Sequence, residues 1–396
     1  MKRIYVFSLV FQQPAKDKSL PQALILDPGL YLSVGHHLDY DKSMANALAQ
    51  FGYSAKIFCN RNVWDPFILN AAHGSFTYNL YGKIPRTELD DRLAIHIREL
   101  HQVCSPCMST DGLAFFPNAG LLDILALRKA PELVKSFKSI HLILRYWEID
   151  KALGDGEDST PLFEESLKFL STCYDHIYLY TDTHALKSMW KQLGISVQLV
   201  PLPIDPDLSY HQSSSKKEYE ILSLGQTSPE KGLTLIVNTL LTLASHNIYP
   251  KGFVQSTFFE FSPDIREKLP NITFNNTPLS RDAYNNLLLN SRFYMNLYDP
   301  TRFRYGSSHA LLESVIAGCI PICTDYPFAR AILGPMFGRL SVSLSIGNVI
   351  DQLVNLYREQ DSSEPINLSS ELQKTARNLR EIHSPKQLVE CLLLNS

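Results

Sequence analysis

From Ala23 to Cys59 the chain reads ALILDPGLYLSVGHHLDYDKSMANALAQFGYSAKIFC. A short apolar run opens it, followed by a loop containing Gly29 and Gly35. Tyr40, Met44, Ala47, Leu48 and Phe51 then recur at helical spacing. Gly52 is placed to stop the helix, and SAKIFC returns as a second strand. Strand, loop, helix and strand in this order form the building block of a parallel sheet.

The alternation continues. RTELDDRLAIHIRELHQVC, THALKSMWKQLG and LTLIVNTLLTLAS have helical spacing, while GLAFFP, IHLILRYW, HIYLYT and SVQLVPLP read as strands. The polar, serine-rich stretch IDPDLSYHQSSSKKEYE has no periodicity and marks a domain boundary. After it the pattern starts again with YEILSLG, FVQSTFFEF, ITFNN, FYMNLYD and IPICT as strands. Two such series predict an α/β chain of two doubly wound, Rossmann-like domains facing across a cleft. The expected divisions are 1–205, 206–380 and a terminal helix over 381–396 that packs back on the first domain.

Composition narrows the function. At 396 residues the chain exceeds one ordinary core. Thirty-seven basic against 40 acidic residues argue against a nucleic-acid binder dominated by phosphate contacts. No run approaches the roughly 20 apolar residues of a membrane span, so any membrane contact would be peripheral. MKRIYVFSLVFQQP reads as a first strand, because Gln12 and Gln13 interrupt its apolar run and no small-residue cleavage site follows. Seven scattered cysteines fit reduced thiols in a cytoplasmic protein. HIRELHQVCSPC offers His96, His101, Cys104 and Cys107, but the histidines are five apart and point to different helix faces; no metal is expected.

Two strand-to-helix junctions in the second half carry the chemistry. In SLGQTSPEKGLTL, Ser228 is placed to cap a helix, Pro229 suits its first turn and Lys231 lies beside open N–H groups. In DPTRFRYGSSHALLESVIAG, Ser307 and Ser308 precede a helix, with Arg302 and Arg304 upstream as bidentate donors. Glu313 falls outside the stripe of Leu311, Leu312, Val315 and Ile316. It is placed to accept from a ribose, or to pair with His309 one turn back.

LGQTSPEKGL, HALLESVIAGCIPICTD, PGLYLSVGHHLDY and YDHIYLYTDTHALKSMWKQLGISVQLVPLPID together resemble the GT-B glycosyltransferases, especially the retaining, family 4-like nucleotide-sugar enzymes. The resemblance implies a nucleotide-sugar donor, a glycan or lipid-linked acceptor and no cofactor. It puts Lys231 on the donor phosphates, Glu313 on the ribose, and Gly35 and His36 at the loop facing the sugar. Gln226 stands where relatives carry an arginine, and Tyr305 where many carry a second glutamate. An inverting member would draw its base from His36, His37, Asp39 or Glu148, with Arg145 facing a negatively charged substrate. The alternatives are a non-catalytic carbohydrate-binding or assembly subunit, for which Gln226 and Tyr305 argue, and a nucleotide-sugar epimerase.

Overall fold

A computed structural model of the chain describes residues 20–31, 37–105, 112–145, 148–208, 217–225, 228–256, 260–361 and 368–394. The first sheet contains β1 (Gln22–Asp27), β2 (Ser54–Asn60), β3 (His73–Phe76), β4 (Leu113–Phe116), β5 (Ser139–Ile143), β6 (Ile177–Thr181) and β7 (Gln198–Leu199). Its order is β3-β2-β1-β4-β5-β6-β7. The second contains β8 (Tyr219–Ser223), β9 (Gly252–Gln255), β10 (Ile272–Asn275), β11 (Ser291–Asn296), β12 (Ile320–Thr324) and β13 (Ser341–Val342), in the order β10-β9-β8-β11-β12-β13. All these strand pairs are parallel. Each sheet therefore reverses direction once, between β1 and β4 and between β8 and β11. Parallel sheets place ligands outside the carboxyl ends of the strands at such reversals.

Strands covered on both faces read as continuous apolar runs. LAFF of β4 and IPICT of β12 are buried at every position. The short edge strands β3 and β13 went unread because HGSF and SV contain too few apolar residues to show a period. The strand expected in MKRIYVFSLVFQQP lies outside the described residues.

The two sheets share packing. The helix Pro385–Leu393 lies against the helix His37–Gln50 of the first sheet. Leu388, Val389 and Leu392 join Leu38, Tyr40 and Met44 in one buried cluster that continues into the second sheet. Polar ties add to it. The Thr183 hydroxyl donates to the Tyr305 carbonyl at 2.9 Å, and Ser307 Oγ donates to Asp182 Oδ2 at 2.8 Å.

Candidate active site

The second sheet's contribution begins where β8 ends. Pro229–Lys231 form a single 3₁₀ turn, and Gly232 follows at φ +82° before the helix Leu233–Ser245 starts. Only glycine fits there, because a Cβ at Gly232 would lie 2.2 Å from the Leu297 carbonyl oxygen. The expected capping by Ser228 is therefore corrected. Its hydroxyl donates to Glu230 at 2.7 Å, and the long helix begins beyond the glycine. Lys231 itself extends to within 6.0 Å of the Tyr298 ring centre. Among the described residues its ammonium takes part in no ion pair or hydrogen bond, while its backbone N–H donates to the Ser228 carbonyl at 3.0 Å.

Beside it, Ser308 caps the helix His309–Ile316 by accepting the Leu311 N–H at 3.2 Å. Lys231, Ser307, Ser308 and Ala310 line a cavity of about 340 Å³ whose far wall includes His37 and Arg145. An ammonium with no ion pair among the described residues, next to a helix N-terminus, suits an anion.

On the first sheet, β1 ends in Asp27 and the helix His37–Gln50 starts at the cavity. Asp27 Oδ1 accepts the Gly29 N–H at 2.9 Å, which leaves Oδ2 to hold His37 Nδ1 at 2.6 Å. That contact assigns the proton to Nδ1 and leaves Nε2 as the basic nitrogen. Nε2 accepts from the Tyr81 hydroxyl at 2.7 Å, and Tyr81 in turn accepts from Asn118 Nδ2 at 2.7 Å. Behind them Asp41 is fully buried; burial and the neighbouring Asp27 carboxylate push its pKa well above the carboxylate range. Arg145 donates from Nε to Asp182 at 2.9 Å and lies 5.1 Å over the Tyr40 ring.

No family model matches the chain, and no curated protein does. Solved structures do. A glycosyltransferase from Rickettsia africae superposes with a TM-score of 0.66 at 11% identity, covering 96% of this chain and 98% of its own. A sucrose-phosphate synthase from Thermosynechococcus elongatus gives 0.63 at 12%, over 95% and 97%. An alpha-glucosyltransferase in complex with UDP and a 13-mer DNA gives 0.57 at 11%, over 95% and 99%. The chain has the GT-B fold. At such identity the likeness to other GT-B structures concerns backbone arrangement alone.

Within this GT-B chain several expected site residues are engaged with other protein groups. Glu313 does not line the cavity. The helix His309–Ile316 is buried on every side, and Glu313 is 2% exposed. Its Oε1 accepts from Arg281 Nη2 at 2.5 Å, and burial raises its pKa despite the guanidinium. The carboxylate therefore presents nothing to a ribose and does not pair with His309, which meets the Tyr40 ring edge-on. Asp39, a candidate base, instead lies 3.5 Å from Arg281 Nη1. Arg302, expected as a bidentate donor, and Glu148, a candidate base, bind each other at 3.0 Å. Arg304 is exposed, lies 4.5 Å over the Tyr305 ring and does not reach the cavity. Gly35, His36, Gln226 and Cys107 lie outside the described residues. His96 and His101 bind separate carboxylates, Asp123 at 2.8 Å and Glu132 at 3.0 Å.

Sequence reasoning missed Asp27, Tyr81, Asn118, Asp182 and Arg281. Two of these carried a signal. Asp27 ends a strand ten residues before His37, and Arg281 occupies a helical first turn, where the helix dipole disfavours a cation.

Proposed function

We propose that the chain transfers a glycosyl group from a nucleotide-activated sugar to a hydroxyl of a glycan or lipid-linked glycan. One observation carries the reading: the Lys231 ammonium, which forms no ion pair among the described residues, and the N-terminus of the His309 helix share a cavity with a histidine held by a buried aspartate. The donor's diphosphate sits at Lys231, Ser308 and Ala310, where positive charge and N–H dipoles stabilise it as it leaves. The acceptor enters from the first sheet, beside His37 and Arg145. The acceptor oxygen bonds to the anomeric carbon, the bond from that carbon to the phosphate oxygen breaks, and the nucleoside diphosphate departs with the electron pair. Lys231 and the helix end supply the countercharge without calling on a metal.

Similarity of HALLESVIAGCIPICTD to retaining enzymes supports retention, with the acceptor proton passing to the departing phosphate. The Asp27–His37 pair favours a second reading, inversion, in which Nε2 takes that proton once the acceptor displaces Tyr81. The solved alpha-glucosyltransferase holds UDP, which makes nucleoside diphosphates the first ligands to test. In calorimetry against a panel of them, wild type binds at least one and Lys231→Ala binds it at least tenfold more weakly, about 1.5 kcal/mol for a lost charge-assisted contact. Equal affinity in the variant, or no binding by wild type, sinks the proposal. With a turned-over donor, the product's anomeric configuration read by NMR separates retention from inversion.

A further inference from the structure

The helix His37–Gln50 carries one buried acid that glycosyl transfer, as proposed above, does not use. Asp41 follows His37 by four positions, so the two side chains leave the same face of the helix one turn apart. Asp41 and Asp27, which face each other within hydrogen-bond reach, are both fully buried. Two carboxyl groups in contact and shut off from water do not both ionise, because their like charges are neither separated nor solvated. One of the two keeps a proton.

Hydrogen bonding decides which. Asp27 receives the Gly29 N–H at 2.9 Å and His37 Nδ1 at 2.6 Å, two donors that stabilise a carboxylate. Neither oxygen of Asp41 has a hydrogen-bond partner among the described residues. The other polar groups around it are committed elsewhere. The Cys59 thiol of β2, pushed up to about 12 by burial and the two acids, donates to the Asn60 carbonyl at 3.5 Å. Arg145, beyond β5, gives its Nε to Asp182, and Tyr40 on the same helix lies under that guanidinium. An ionised Asp41 would be a buried charge without a donor, whereas a protonated one has Asp27 at hand as its acceptor.

We propose that Asp41 is a positioning residue for His37: it carries the proton of the acid pair, donates it to Asp27, and so keeps Asp27 an anion that accepts from His37 Nδ1 and leaves the lone pair on Nε2. The place of that proton matters. On Asp27 it would be donated to Nδ1, move the imidazole hydrogen to Nε2 and remove the lone pair that an acceptor hydroxyl needs. The catalytic use of the arrangement rests on the inverting reading, in which Nε2 takes the acceptor proton; the place of the proton does not.

Infrared spectra of protein labelled with carboxyl-¹³C aspartate test the proton directly. At pH 7 the wild type should show the carbonyl stretch of a protonated aspartic acid, and Asp41→Asn should lose intensity there. No such band, or a band undiminished by the substitution, overturns the assignment. The link to His37 is read from its NMR titration, with His37→Gln identifying its signal among the 12 histidines. Asp41→Asn keeps a donor towards Asp27 and should leave the titration midpoint in place. Asp41→Val removes the donor and should raise the midpoint by about 0.5 pH unit or more, since the charge on Asp27 is then less dispersed. A midpoint lowered in Asp41→Asn would mean an ionised Asp41 in the wild type, and one unmoved in Asp41→Val would mean no action through Asp27; either overturns the proposal. The near-isosteric asparagine variant and the infrared band keep it testable if the valine variant does not fold. Neither readout depends on nucleotide binding or turnover, so failure of the donor assay and failure here are separate results.

Discussion

Arg281 does the work that the sequence suggested for a nucleotide. It gathers three carboxylates, Glu313 at 2.5 Å, Asp205 at 3.0 Å and Asp39 at 3.5 Å, from both halves of the chain. Removing one partner of a buried pair leaves the other charge without compensation, which costs about 3 kcal/mol or more. Arg281→Met should therefore lower the urea midpoint by that equivalent. Glu313→Gln should cost distinctly less, because Arg281 keeps Asp205 and Asp39. Equal losses in the two variants would show that Asp205 and Asp39 add nothing and that Arg281 serves Glu313 alone. Glu313 was misread for a physical reason. A helical wheel separates it from the leucine stripe, but the helix is enclosed on all sides, and its partner lies 32 residues away, beyond any local pattern. The place of Lys231 at its strand-to-helix junction was legible because Pro229, Lys231 and Gly232 fall within four positions and each restricts the backbone or supplies charge by itself.

At the level of elements, β5 places His141 between aromatic rings. Phe115 stacks on it at 4.6 Å and Tyr178 at 5.5 Å, and burial lowers its pKa to about 3. His383, at the end of the helix Leu368–Ile382, is lowered to about 4 for the same first cause. In both cases the unfolded chain binds a proton near pH 6.5 and the folded chain does not. Their stability is complete above pH 6.5 and is lost as pH falls towards 4, at about 1.4 kcal/mol per pH unit for each histidine. Asp41 acts in the opposite sense, since its raised pKa favours the folded state most below 3.8 and less as pH rises. Urea unfolding measured from pH 7 to pH 4.5 should fall more gently for His141→Gln than for wild type. Identical slopes would remove His141 from the account. Most strands were visible in sequence because burial on both faces leaves no polar interruption. The turn Pro229–Lys231 was not, because a 3₁₀ turn and a helical first turn share the same preferred residues.

For the whole molecule, the helix Pro385–Leu393 is the element whose loss should cost most. Leu388, Val389 and Leu392 are fully buried. At about 2 kcal/mol each they supply roughly 6 kcal/mol, within the range of an entire domain's stability. A chain truncated before Ser384 should lose cooperative unfolding or appear insoluble, as checked by circular dichroism; an unchanged midpoint would refute this. The seat of that helix is the helix His37–Gln50, which presents His37 to the cavity. During synthesis, then, the apolar side of the His37 segment emerges from the ribosome hundreds of residues before its cover does. Until that cover arrives the nascent first half carries an open greasy seam, a target for chaperones. Cooperative folding of the first half should therefore set in abruptly once translation has passed Leu392, instead of growing with each completed sheet.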